Sequence, residues 1–352
     1  MSDGIVTGSG ATWLSGSGDA WHGSGAPSHE TEAGSRTAGD NTHRGWAAPD
    51  LRRRLQLVLG GIWLLDAVLQ YQSFMFTRAF AQMLAEAAQG NPAFIAGPIT
   101  WSARLIDHHV VVMNAVFATI QLLLGLGIAW RPTVKIALGT SVIWALAVWW
   151  LGEGLGLVLT GNASPANGAP GAVIIYALLA VLLWPARRDR PSPFVAGRAV
   201  GARAARLLWL VLWGSLGYLA LQPAARAPQG LSSTVSGMAS GEPGWLASVD
   251  SYLGGLLNHR GLVASVVLAA ALIVIAVGVY LPPPATRAAL VLAVAVAAVI
   301  WIAEGLGEVF TGTGTDPNTG PLLALLAVAY WPAGPAAAAR REQAAPAWTG
   351  GR

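Results

Sequence analysis

Apolar positions in this chain come in long unbroken runs. From Leu55 onward these runs alternate with short polar connections, whereas the first fifty positions hold none. A bilayer crossing by helix needs about 20 consecutive, mostly apolar residues. Eight segments answer that description, at about 55–75, 108–130, 133–153, 169–186, 204–222, 260–281, 285–306 and 320–337. The fourth and eighth are the shortest and carry Pro or Gly near their ends (Pro170, Gly171; Pro321, Pro332). The pattern predicts an all-α polytopic membrane protein with eight transmembrane helices. Residues 1–50 are rich in Gly, Ser, Thr and Asp, with scattered Trp13, Trp21 and Trp46. Such a stretch buries too little apolar surface to offset its ordering entropy, so a disordered tail is expected there. It lacks a basic stretch leading into an apolar core, so no secretory signal is apparent. His22, His29 and His43 are too irregularly spaced in it to suggest a metal site.

Composition narrows the class further. Hydrophobic residues make up 54% and charged residues 11% of the chain, against about a quarter charged in soluble domains. That excludes a soluble globular enzyme. With 0 Cys there is no disulfide, thiolate metal site, iron–sulfur cluster or covalently attached haem. A net charge of +4 is too small to argue for nucleic acid. No GxxxxGK[ST], GxGxxG after a strand, HExxH or GxSxG is present, which argues against an ATP-driven pump or a soluble-type hydrolase.

Basic residues set the expected orientation. With the N-terminal tail inside, only Arg78, Arg104, Arg226 and Arg260 of the 21 Lys and Arg residues fall outside. The positive-inside rule then places both termini in the cytoplasm, across a plasma membrane. The expected organisation is a cytoplasmic tail (1–50), a first four-helix unit (51–190), a cytoplasmic linker (191–203), a second four-helix unit (204–338) and a C-terminal cytoplasmic tail (339–352).

The membrane region repeats itself. Residues 153–161 read EGLGLVLTG and residues 304–312 read EGLGEVFTG. The same offset pairs Trp150 with Trp301, Pro92 with Pro243 and His108 with His259. Gln70 and Gln222 close the first and fifth segments, and both fourth segments end in Trp-Pro (Trp184-Pro185, Trp331-Pro332). Apolar composition alone does not align Glu, His, Gln, Thr and Pro together. Four segments per unit is an even number, so the copies enter the membrane in the same direction as parallel repeats. Gly154, Gly156, Gly305 and Gly307 are expected to let helix backbones approach closely.

The polar signatures converge at one depth on the outer side. Glu153 and Glu304 are the leading pair, because ionisable groups at membrane depth are costly and face a cavity or the bundle interior. Asp66, in the middle of WLLDAVLQ, is a third acid and has no acidic counterpart. Glu153, Glu304 and Asp66 are therefore the catalytic candidates. His108, His259, Gln70 and Gln222 are the ligand-binding candidates. His109 ranks below His108, since Arg260 is its counterpart. Two His and two Glu (His108, Glu153, His259, Glu304) would suit a borderline divalent metal such as zinc or copper. Glu308 stands one turn beyond Glu304 and extends the polar patch. Phe80, Met83, Leu84 and Ala87 recur at helical spacing in the link after the first segment. They predict an amphipathic helix on the outer membrane surface, either a lid or a structural belt.

Three features of the unit carry a family resemblance: its basic start (Arg52 to Arg54), its Gly-containing first segment LVLGGIWLLDAVLQ, and the FxxxFAxxL-like stretch Phe76 to Leu84. With three further short spans, the unit resembles the DoxX-like family of small membrane proteins, here doubled. That resemblance implies a membrane component of a redox system, including quinone-linked sulfur oxidation. The leading expectation is an outward-facing, redox-associated site for a quinone, a metal or another small ligand. The bilayer is its main partner, together with other membrane or extracytoplasmic redox subunits. The alternatives are a small-molecule or ion transporter at the repeat interface, and a non-catalytic partner subunit.

Overall fold

The computed structural model describes residues 50–186 and 189–332. Both expected tails, apart from Asp50, lie outside the described residues. Every element among the described residues is helical. The first group is α1 (Leu51–Leu69), α2 (Arg78–Glu86), α3 (Ala93–His108), α4 (Val110–Ala129), α5 (Val134–Leu151) and α6 (Ala172–Leu182). A short α7 (Gly197–Val200) follows. Then come α8 (Ala202–Leu219), α9 (Pro223–Arg226), α10 (Gly230–Met238), α11 (Gly244–Leu257), α12 (Gly261–Gly278), α13 (Pro283–Ala303) and α14 (Thr319–Ala329).

Four helices, α4, α5, α12 and α13, are long and apolar enough to cross a membrane. Their outer faces carry a belt of exposed aliphatic side chains, among them Val112, Leu123, Ile136, Ile143, Val263 and Val291. Exposed apolar surface of that extent belongs in lipid. The chain is therefore a membrane protein. α1 and α8 reach a similar length but begin with arginines, Arg52 to Arg54 and Arg203 with Arg206.

The fourth and eighth apolar runs depart from expectation. α6 and α14 have 11 residues each, about 16 Å of helix at 1.5 Å per residue. That is roughly half of the hydrocarbon thickness. Eight of the 11 residues in each of α6 and α14 are buried, and the two helices pack on each other. They read as apolar runs because protein covers most of their surface, with Val181 and Val328 left exposed.

Packing follows one scheme before and after α7. α1 lies on α4 as α8 lies on α12; α5 lies on α6 as α13 lies on α14. Lipid offers no hydrophobic drive between helices, so close contact depends on small residues. At the α1–α4 crossing a Cβ on Gly125 would stand 2.8 Å from the Gly60 carbonyl. Gly154, Gly156, Gly305 and Gly307 do not serve that purpose; they lie beyond the ends of α5 and α13 in tight turns.

Threonines close the connections at the arginine-bearing end. Thr133 donates to the Gly127 carbonyl at 2.8 Å and Thr286 to the Gly278 carbonyl at 3.0 Å, satisfying orphan carbonyls of α4 and α12. Arg53 donates to the carbonyls of Ile128, at 2.8 Å, and Ala129. Gln56 reaches the Leu183 carbonyl at 2.8 Å. Ion pairs join Arg52 to Asp189 (2.7 Å) and Arg198 to Asp50 (2.9 Å). The expected linker 191–203 is part of this packing. Phe194 stacks on Tyr330 with ring centroids 5.1 Å apart, and the Ala196 amide donates to the Ala329 carbonyl.

The buried Tyr330 hydroxyl donates to the Ala205 carbonyl at 2.5 Å, tying α14 to α8. Tyr330→Phe should cost about 1 kcal/mol, the ordinary net value of one hydrogen bond. A thermal melt of the purified protein should show a small downward shift, with the helical circular dichroism at low temperature unchanged.

Candidate functional site

The repeated EGLG…TG signature has a shared geometry. Residues 154–157 and 305–308 each form one turn in which every residue has positive φ, from Gly154 (55°) to Leu157 (56°) and from Gly305 (59°) to Glu308 (53°). An L-residue pays roughly 1–2 kcal/mol for the left-handed helical region, so two glycines per turn reduce the cost. Gly156 also has no room for a side chain: a Cβ there would stand 2.0 Å from the Pro170 carbonyl oxygen. At Gly307 it would stand 2.5 Å from the Pro317 carbonyl carbon. The threonine of each signature latches the turn, Thr160 on the Leu157 carbonyl and Thr311 on the Glu308 carbonyl, both at 2.8 Å. Most of the signature is thus explained by backbone geometry.

The turn aims the preceding glutamate at the start of the next helix. Glu153 accepts from the Val173 amide at 3.4 Å, at the N-terminus of α6. Glu304 accepts from the Thr319 hydroxyl at 2.5 Å, at the N-terminus of α14. A carboxylate is favoured there by the orphan amides and the helix dipole. In both residues the other oxygen, Oε2, is buried and has no hydrogen-bond partner among the described residues. Both carboxyls sit just past the ends of α5 and α13. Burial raises each from the ordinary 4.5 to about 8, against the lowering effect of the amide and hydroxyl donors. Asp316 adds a further raising contribution to both.

Two cavities meet at these residues. The polar one, about 290 Å³, lies between the loops that follow the two signatures. Glu153, Glu304, Glu308 and Asp316 line it, with Met83 and Met238. Glu308 accepts from Thr313 at 2.8 Å. Asp316 is held by the Asn318 amide at 2.7 Å and the Thr315 hydroxyl at 3.0 Å. Burial also lifts the Asp316 carboxyl above its usual range.

The second cavity, about 320 Å³, has apolar walls, chiefly Trp63, Phe80, Phe117 and Trp144. Four polar residues line it from the helices and their ends: Asp66, Gln70, Ser102 and Gln121. Asp66 is 1% exposed. Its Oδ2 accepts from the Tyr176 hydroxyl at 2.6 Å, and its Oδ1 has no partner. Gln70 is fixed by Asn114 on α4: its amide donates to Asn114 Oδ1 at 2.6 Å, and Asn114 donates back to the Gln70 carbonyl at 2.8 Å. The amphipathic α2 covers this cavity with Phe80, Met83 and Leu84. Met83, Glu153, Thr315 and Asp316 line both cavities and form the wall between them.

The expected site residues therefore separate into two groups. Glu153 and Glu304 line one cavity together, and Asp66 and Gln70 line the other. His108, His109 and His259 are exposed at the corners where α3 meets α4 and α11 meets α12, and none lines either cavity. Gln222 is half-buried ahead of α9 and lines neither. Among the described residues, no group of three or more His, Asp or Glu side chains is arranged to hold a metal ion. The set His108, Glu153, His259, Glu304 is accordingly not brought together. Convergence on one side of the membrane placed these residues at a common depth, but depth does not fix the direction of a side chain.

Asp316, Tyr176, Gln121, Asn114 and Thr319 were not anticipated. Tyr176 is the one hydroxyl in AVIIYALLAVL, an apolar run that otherwise has no use for it. Asp316 stands in a Gly- and Thr-rich loop, and nothing in its sequence marks it as inward. One further pair lies apart. Glu242 and the fully buried Asp250 face each other with no donor side chain on either. Burial raises both carboxyls, and Asp250 raises Glu242 further.

No protein-family model matches the chain, and no solved structure matches it.

Proposed function

We propose that this is a membrane protein that binds a small amphipathic molecule in the apolar cavity, with Asp66 as the group that receives its hydrogen-bond donor. One observation carries the reading: an unpartnered carboxylate oxygen stands in a buried cavity walled by aromatic rings. A buried carboxylate oxygen without a donor is costly, and an incoming hydroxyl or N–H would relieve that cost. Quinols fit this description by class. Their ring suits the aromatic walls, their hydroxyl suits Asp66 and their second oxygen suits the Gln121 or Gln70 amide. In the redox version, oxidation of the quinol to its quinone gives up two protons and two electrons: Asp66 takes one hydroxyl proton, water takes the other, and both electrons pass to a partner redox subunit.

The architecture proposed with it is eight crossings in two parallel four-helix repeats, a doubled DoxX-like unit with both termini in the cytoplasm. The repeated sequence signatures and the recurring packing scheme support the duplication. Two features support eight crossings. α1 and α8 have 19 and 18 residues, and α6 and α14 each follow a partly buried loop that would complete the crossing. Irregular backbone is tolerated there when protein covers it. The arginine distribution supports the orientation, and a plasma membrane location is proposed with it.

A second reading, transport, draws on the wall shared by the two cavities. Glu153 and Asp316 on that wall would hand a cation or proton between them.

The test is binding of a ubiquinol with a short alkyl tail to the purified protein. Trp63 and Trp144 line the cavity, so quenching of tryptophan fluorescence reports on it. Saturable quenching is expected, weakened by about tenfold or more (about 1.4 kcal/mol) in Asp66→Asn. A folded wild-type protein that binds no quinol would end the quinol reading. Proton-coupled uptake into proteoliposomes without quinol binding would shift the weight to transport.

A further inference from the structure

We infer that the polar cavity between the two signature loops binds an organic cation carrying two or more separated N–H donors, of the amine or guanidinium class. The argument starts from charge. Among the described residues, four acids line this cavity and no Arg, Lys or His does. Cavity-lining donors serve two of these acids: Thr313 takes one oxygen of Glu308, and Thr315 and the Asn318 amide take both oxygens of Asp316.

The unpartnered oxygens show what is lacking. Glu304 is 1% exposed; Thr319 occupies its Oε1, and its Oε2 has no partner. Glu153 presents the same unpartnered Oε2 from the other signature. Neither oxygen has a partner of its own among the described residues, although the amides of Val173 and Ala172 lie against the Glu153 carboxyl and those of Thr319 and Gly320 against that of Glu304. A ligand that supplies N–H groups to both would form charge-assisted hydrogen bonds, the strong class of such bonds.

Geometry selects among cations. A metal ion needs several ligands around one point, and no three acidic side chains are so arranged among the described residues. Glu153 and Glu304 reach the cavity from different signature loops, and a cation with its nitrogens spread along a short alkyl chain can donate to both. Met83 and Met238 supply apolar wall for its methylenes. The cavity volume, about 290 Å³, is at the small end of ligand pockets. This inference does not rest on quinol binding at Asp66.

The test uses the full chain in detergent, with putrescine as the probe and equilibrium dialysis as the readout. At about pH 9 both glutamates are ionised and the diamine is still charged. One-to-one saturable binding is expected, with no binding of a neutral diol of equal length. Glu304→Gln and, separately, Glu308→Gln should each weaken binding by about tenfold. Asp66→Asn should leave it within about twofold, since Asp66 lines only the other cavity. Absence of saturable putrescine binding to the folded wild-type protein would overturn the inference. So would binding that neither glutamine variant alters. Calcium binding that is lost in Glu304→Gln and unaffected by putrescine would identify a metal site instead.

Discussion

Gly156→Ala should destabilise the protein by about 2–5 kcal/mol. Two independent costs add there. The backbone has φ 62°, and a left-handed residue with a Cβ costs roughly 1–2 kcal/mol. The new methyl would also stand 2.0 Å from the Pro170 carbonyl oxygen. That neighbour is backbone and cannot rotate away, and such overpacking costs about 1–3 kcal/mol. Gly161→Ala is the matched control. Its φ is 76°, but nothing lies within 4 Å of its would-be Cβ, so only the conformational cost of about 1–2 kcal/mol applies. Thermal melts of both variants in one detergent should therefore separate widely. Equal shifts would mean that the turn relaxes freely away from Pro170. Gly307→Ala should repeat the large effect, since its Cβ would meet Pro317.

That contrast explains what was legible in the sequence. Eight apolar runs gave helices in the right places, because a run of apolar residues has few alternatives in lipid. Lengths were misread at both fourth segments. Burial by protein and burial by lipid both favour apolar residues, so AVIIYALLAVL and TGPLLALLAVA read as full-length helices while each forms a helix of only 11 residues. The repeat marked Glu153 and Glu304, and both line one cavity. It also marked His108 and His259, which proved to be exposed corners. Repetition reports any constraint that both copies share, and a helix corner is such a constraint as much as a ligand site is. Asp66 was found because an acid in the middle of an apolar run has no bland explanation. Asp316 was missed because its inward direction depends on how a loop folds against the opposite half. Its place on the wall between the cavities is a tertiary fact that no local pattern encodes.

The stability of the protein should fall as pH rises from about 5 to about 8, and Glu304→Gln should reduce that slope. Burial lifts Glu304 from 4.5 to about 8. Between those values the native state keeps the proton, whereas the unfolded chain has lost it. The native state then binds more protons than the unfolded one, so stability decreases with pH through that window. Below about 4.5 both states are protonated and the stabilisation is complete; above about 8 both are ionised and nothing further is lost. Glu153, raised to about 8 as well, contributes with the same sign, as does the Glu242–Asp250 pair. Asp316 faces both glutamates and reinforces the trend. Glutamine retains an oxygen to accept from Thr319 and removes the titration, so Glu304→Gln should fold normally and melt higher than wild type at pH 8. At pH 5 the two should melt together. An unaltered slope would mean that Glu304 is solvated in its native setting. Adding a diamine should reverse the wild-type trend near pH 8, because a cation beside Glu153 and Glu304 favours their ionised forms. The same two acids would then account for both the cost of the empty cavity and its affinity for a positively charged ligand.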